Sequence, residues 1–303
     1  MPLSPRKILF AALIGALILA VSPAQDLAPD EGHRTGLVPE DEARLRAFVE
    51  THPRVTGVRV NWLGLERVND ARAARGLSPL EALSVDRVGR ELVSARPGEA
   101  SIMAAAASLL AAGDLPVAVD NSLLKFFPPI RSQNPLGSCA SFSSTYYQLS
   151  YMAAFQRDLD IRDAADNTNK YSPKWSYNML NDGKDEGTYF SENYDLLERH
   201  GAATWADFPY DTNFKGWCLD TAAWRRALGV RTDPVQYLRD VSGDAGLDLL
   251  KQLLTNGYVM VFGTYVSSWQ LKAAVDDPST AADNDAVGDA VGYWVNGIEG
   301  SHG

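Results

Sequence analysis

Cysteine, histidine and positive charge are all scarce in this chain. Two cysteines among 303 residues, Cys139 and Cys218, allow at most one bridge, so stability must come from packing rather than a disulfide framework. Basic residues number 28 against 38 acidic, a formal net charge of −10, which counts against polyphosphate partners because these need clustered Lys and Arg. Nucleic acid is not an expected partner. No apolar run reaches the roughly 18 to 20 residues that cross a bilayer, so stable membrane insertion is not expected either. The sequence also holds no Asn-x-Ser/Thr sequon, no internal repeat and no glycine-rich phosphate loop of the Walker or dinucleotide type. What it does have, 46% hydrophobic and 10% aromatic residues, suffices for a substantial core and excludes disordered and fibrous classes.

Residues 1–24 carry Arg6 and Lys7, an apolar stretch over 8–21, and then Ser22-Pro23-Ala24, with small residues ahead of a cut. This pattern predicts an export signal removed near Ala24 and a secreted or periplasmic product. Residues 25–114 read as a mostly helical region. Apolar positions recur at helical spacing over 40–50, over 63–75 before Gly76, and over 80–95 before Pro97-Gly98; an Ala-rich run over 99–112 stops at Gly113. His33 and His52 stand in this region without acidic or thiol neighbours, and no metal or cofactor is expected. Residues 283–292 (DNDAVGDAVG) lack the ligand spacing of a calcium loop and read as solvated.

Near Leu115 the texture changes to aromatics, Pro and Gly, which marks a domain boundary, with a second domain over 115–303. A buried helix is expected over 138–156, where Phe142, Tyr146, Leu149 and Ala153 share a face. Further helices are expected over 172–180 with Pro173 at the first turn, over 190–199 ending at Gly201, and over 247–254. Residues 258–266 (YVMVFGTYV) read as the clearest strand. Helices first and strands later predict an α+β fold of two packed lobes.

The chemistry concentrates in residues 131–143, RSQNPLGSCASFS. A small-residue turn, Gly137-Ser138, delivers Cys139 to the first turn of the buried helix. There the unpaired N–H groups and the helix dipole favour an anion and so raise a thiol's thiolate fraction. The plain alternative is an inert buried cysteine. Gln133 lies close enough for its side-chain amide to converge with the Cys139 N–H on a tetrahedral oxyanion. His200 falls at a helix C-terminus, where a positive ring complements the dipole, and reads as structural.

This order of residues resembles the papain-like cysteine peptidases, whose pattern runs Gln, a short Gly/Ser loop, then Gly-Ser-Cys-Trp-Ala-Phe. Leu115-Pro116 with Val119-Asp120 resembles the family's mature N-terminus, Tyr171-Ser172-Pro173 its second left-lobe helix, and Phe208-Pro209-Tyr210 its Tyr-Pro-Tyr run. The resemblance spans residue 115 to the end of the sequence. It implies a two-lobe fold with a helical left lobe and a barrel-like right lobe. It also implies Cys139 as nucleophile, Gln133 in the oxyanion hole, and Glu186-Gly187 in place of the Gly-Gly strip that pairs with substrate. The general base is then His302, which follows Gly300-Ser301 and lies somewhat farther from Cys139 than the roughly 130 to 150 residues usual for such a pair. Residues 25–114 become a propeptide or accessory region and a candidate to bind the cleft in cis.

The departures matter too. The family's Trp after the nucleophile is Ala140 here, a usual disulfide cysteine is Leu136, and Cys218 is expected to be a buried free thiol. The Asn that orients the base and the closing strands of the second lobe would fall beyond Gly303, so the resemblance predicts a fragment or an early-ended reading frame. The expected function is peptide hydrolysis through an acyl-enzyme, with peptides or proteins as substrates. The alternatives are a non-catalytic binding module on the same scaffold and a thiol acyltransferase.

Overall fold

A computed structural model describes residues 35–80 and 112–265, together with the backbone of three short strands outside them. The fold is α+β. In chain order the elements are β1 (Ala11–Leu13), α1 (Glu42–Thr51), β2 (Arg54–Val58), α2 (Trp62–Ala73), β3 (Leu92–Ala95), α3 (Cys139–Ser141), α4 (Ser150–Arg157), α5 (Pro173–Leu180), α6 (Phe190–His200), α7 (Thr221–Ala227), β4 (Gln236–Leu238), α8 (Asp244–Thr255), β5 (Thr264–Tyr265) and β6 (Ser301–His302). One sheet has the order β1-β4-β2-β3, with β4 parallel to both of its neighbours and β2 antiparallel to β3. A second ladder pairs β5 with β6. Among the described residues no helix is long and apolar enough to cross a membrane.

The helices begin where short polar side chains can satisfy free N–H groups. Asp41 accepts from the Arg44 N–H, Asn61 from Gly64 and Asp220 from Ala222, each at 2.8 Å; such caps contribute about 1 kcal/mol apiece. Pro173 opens α5, where its missing N–H costs nothing, and Gly201 ends α6 at φ 64°.

The central helix is continuous from α3 to α4, but between them Phe142–Leu149 widens into a π-helix. A π segment rotates the later residues relative to a regular helix, and hydroxyls cover carbonyls at the transition: Ser143 Oγ donates to Cys139 O at 2.8 Å and Ser144 Oγ to Ala140 O at 2.6 Å. Tyr146, Leu149 and Tyr151 of this helix, with Trp175, Leu197 and Leu253 from other elements, are all essentially inaccessible. Each buried leucine contributes about 1.5 to 3 kcal/mol. Two of the buried aromatic polar groups are matched: Trp175 Nε1 donates to Gly201 O at 3.0 Å and the Tyr194 hydroxyl to Gln148 Oε1 at 2.6 Å.

The region before Leu115 departs from the expectation of a helical module. β2 and β3 pair within it, and the helix expected over 80–95 is overturned where β3 occupies Leu92–Ala95. β-branched Val93 and the cross-strand partner outweigh the weak helical spacing there. The Ala-rich run over 99–111 lies outside the described residues, as do His33, the loop at 283–292 and, apart from the β1 backbone, the leader. Leu37, Phe48, Val55 and Val58 share one apolar core with Leu149, Trp175 and Tyr237. Asn61 and Asn256 clasp the two parts: the Asn61 N–H donates to Asn256 Oδ1 at 2.6 Å and Asn61 Nδ2 to Asn256 O at 2.8 Å. Arg67 Nη1 adds bonds to Asn121 Oδ1 at 2.9 Å and to Leu254 O at 3.1 Å. After Leu115 the strands come late, as expected there, whereas β2 adds a strand to the region expected to be mostly helical.

Residues 258–266 were expected to form a strand, yet only Thr264–Tyr265 enters a ladder. Tyr258 and Val261 are instead buried in the core, so these apolar residues pack without pairing.

Candidate active site

Cys139 lies at the first position of the central helix, fully buried and unbridged. The turn before it is held from three sides. The Gly137 N–H donates to Asp185 Oδ1 at 2.8 Å, and Asp185 Oδ1 also accepts from the Tyr177 hydroxyl. Ser138 Oγ is 2.7 Å from the Tyr210 hydroxyl, which donates to Gln133 O at 2.6 Å. Tyr210 therefore links the Gln133 loop to the residue before Cys139. Burial pushes the Tyr210 phenol up to about 12, so it remains a neutral donor at ordinary pH. Tyr177 is also raised, first by burial and then by its bond to Asp185. Phe142 packs edge-on against Tyr210, with ring centroids 4.9 Å apart, and supports the same turn from below.

Gln133 is part of this loop and half-buried; its side-chain Nε2 lies 3.4 Å from Leu136 O. Ala140, where the resembled family has Trp, is fully buried against the core. Cys218, expected to be a buried free thiol, is buried and unbridged.

The space over Cys139 is filled by the chain's own N-terminal segment. The Gly36 N–H donates to Cys139 Sγ at 3.2 Å. Gly36 O accepts from the Thr188 N–H, and the Val38 N–H donates to Thr188 O, both at 3.0 Å, so Leu37 and Thr188 form a parallel bridge. Two glycines make this crossing possible. A Cβ on Gly36 would fall 1.8 Å from Gly137 O, and one on Gly187, whose φ is 97°, would fall 2.6 Å from Gly36 O. Leu37 is buried, with its side chain against Gly263 near Phe190. Of the expected substrate strip, Gly187 adjoins this bridge while Glu186 is exposed, 3.8 Å from Lys184 Nζ.

His302 pairs through its backbone with Thr264, the residue after Gly263, which the Leu37 side chain approaches. Separate contacts therefore join Cys139 Sγ to Gly36, the Leu37 side chain to the neighbourhood of Gly263, and the Thr264 backbone to that of His302. His200 is on the last turn of α6, at the helix end where it was expected.

The segment over Cys139 continues along α6. Glu40 accepts from the Ser191 N–H at 2.9 Å and from Ser191 Oγ at 3.1 Å, and Arg44 Nη1 meets Glu192 Oε1 at 2.7 Å while lying over the Tyr189 ring. The expectation that His52 has no acidic partners is corrected at the end of this row. Its Nε2 lies 3.9 Å from carboxylate oxygens of both Asp195 and Glu198, which are remote in sequence and one helical turn apart. The roles of Gly36, Asp185 and Tyr210 were not anticipated either, because each acts through a partner far along the chain. An open cleft bordered by Arg67, Asp70, Arg75, Leu115 and Val119 holds none of the expected site residues.

No family model, curated protein or solved structure matches the chain.

Proposed function

We propose that the chain is a cysteine peptidase of papain-like type, held in a covered, precursor-like state. The observation that carries this reading is the Gly36 N–H on Cys139 Sγ, with residues 36–38 laid along Thr188. A peptide backbone lies in extended form over a buried cysteine at a helix start, paired to an edge as a bound peptide would be. In this reading His302 takes the Cys139 thiol proton, the thiolate forms an S–C bond to a substrate carbonyl carbon, and the C–N bond breaks as His302 passes that proton to the leaving amine. Gln133 and the Cys139 N–H receive the oxyanion, and water then hydrolyses the thioester. Gly187-Thr188 pairs with the substrate backbone once residues 36–38 have left. The apolar site that holds Leu37 accepts a substrate side chain of similar kind.

Secretion or export and the role of residues 25–114 as a propeptide belong to the same proposal. The test is hydrolysis of denatured casein by the full chain and by a Cys139→Ala variant, before and after limited digestion of the N-terminal segment. Activity that appears on digestion and depends on Cys139 supports the reading. Activity that survives Cys139→Ala refutes it. No hydrolysis in either state, with tight peptide binding after digestion, would favour a non-catalytic binding module.

A further inference from the structure

We propose that His52, Asp195 and Glu198 bind a divalent transition cation, with zinc the best chemical fit, and so fasten α1 to α6. His52 is 6% exposed, and its ring is fixed by stacking on Phe48, with centroids 3.9 Å apart and planes 11° apart. Its Nδ1 lies 2.9 Å from Phe48 O and 3.0 Å from Thr51 Oγ1. Phe48 O can only accept, so Nδ1 carries the proton that faces it, and in that tautomer the Nε2 lone pair is turned outward as a ligand atom. A backbone carbonyl on the far nitrogen is the arrangement that orients metal-binding histidines and makes them more basic.

The Nε2 lone pair points at two carboxylates. Asp195 Oδ1 and Glu198 Oε2 are each 3.9 Å away, and all three candidate ligand atoms lie within 4.8 Å of one another. These separations are too long for hydrogen bonds. One imidazole nitrogen and two carboxylate oxygens thus converge on one point, and that point suits a cation. Bonds of about 2.0 to 2.2 Å to a tetrahedral zinc would place ligand atoms roughly 3.3 to 3.5 Å apart. The Asp195 and Glu198 side chains are 48% and 34% exposed, so they can close the remaining gap while His52 stays fixed. One imidazole with two carboxylates suits zinc, cobalt or nickel and leaves a fourth position for water. A competing cation lies on the opposite side: Arg199 Nη2 is 3.6 Å from Asp195 Oδ2, leaving Oδ1 free to face His52.

His52 and the carboxylates come from parts of the chain that meet only when α1 is docked on α6. A bound cation therefore stabilises that contact by mass action, and with it the segment that leads to Gly36. The consequence for Cys139 rests on the peptidase reading; cation binding itself does not.

The test is calorimetric titration of zinc into the full chain carrying Cys139→Ser, which removes the one thiol at the candidate active site. The Asp195→Asn, Glu198→Gln pair in the same background is the comparison, because both positions are exposed enough to leave the fold intact. The expected result is one equivalent bound by the parent and an affinity lower by about a hundredfold or more in the pair. A zinc-induced rise in melting temperature should be lost in the pair as well, and magnesium should not compete, since it prefers six oxygen ligands. Zinc affinity within about threefold in parent and pair, or no saturable binding in the parent, would overturn the proposal.

Discussion

The Gly36 N–H donates to Cys139 Sγ at 3.2 Å although 103 positions separate the two residues in the chain. Gly36 can approach because it has no side chain: a Cβ would meet Gly137 O at 1.8 Å. Gly36→Ala should therefore unseat residues 36–38 and leave the core around Trp175 intact. Alkylation of Cys139 by iodoacetamide should speed up by about tenfold or more, because access to a buried thiol is governed by the opening of whatever covers it. An unchanged rate would mean that residues 36–38 do not protect the thiol.

Burial raises the Glu40 carboxyl above its ordinary value, only partly offset by its two bonds from Ser191, with Arg44 and Glu192 as its charged neighbours. A raised folded-state value means that docking takes up a proton. The favourable contribution is full below the unfolded value of about 4.3 and is lost as pH rises through the higher folded value. Glu40→Gln keeps an oxygen to accept from the Ser191 N–H, lets its amide donate to Ser191 Oγ in place of the second acceptor, and removes the ionisation. At neutral pH it should melt higher than the parent, and the gap should shrink on acidification. Melting curves between pH 4 and 7 test this; a gap that is constant, or that widens in acid, contradicts it.

Asn256→Ala leaves the buried Asn61 N–H without its 2.6 Å acceptor. An orphaned buried donor costs about 1 to 3 kcal/mol. The urea midpoint should fall accordingly with the slope unchanged, because the same surface unfolds. A midpoint equal to the parent's would show that the clasp between the two parts of the chain contributes little.

Gln133→Ala removes a donor expected to act only when an oxyanion forms. On the peptidase proposal, kcat of the digested chain should fall by about a hundredfold or more with KM little changed. A rise in KM alone would assign Gln133 to ground-state binding instead.

Local signals in the sequence carried most of the helices. Pro173, Gly76 and Gly201 punctuate them where the physics of caps and fixed φ requires, and Asp244–Thr255 and Phe190–His200 fall where the apolar spacing placed them. The α+β class followed from the same patterns. The short apolar runs could not be read in this way, because a buried extended segment such as the one holding Tyr258 and Val261 looks like a strand until its pairing partner is known. Likewise, the Leu92–Ala95 strand is decided by its ladder to β2, which no local window contains.

In the candidate site, Cys139 and its loop stood out because the turn and the helix start are contiguous. Gly36 carries no chemistry to notice, and His52 faces Asp195 and Glu198 only after α1 docks on α6. Both relationships are tertiary, so residue type and spacing held no trace of them.

The most direct measurement is the intact mass of the chain, with residues 36–38 released by Gly36→Ala, after exposure to a leucine-containing peptidyl epoxide. The account predicts one adduct, mapped to Cys139, that is abolished by Cys139→Ala, while the buried Cys218 stays unmodified. No adduct, or equal labelling of Cys218, would contradict the assignment of Cys139 as a nucleophile in a peptide-binding cleft.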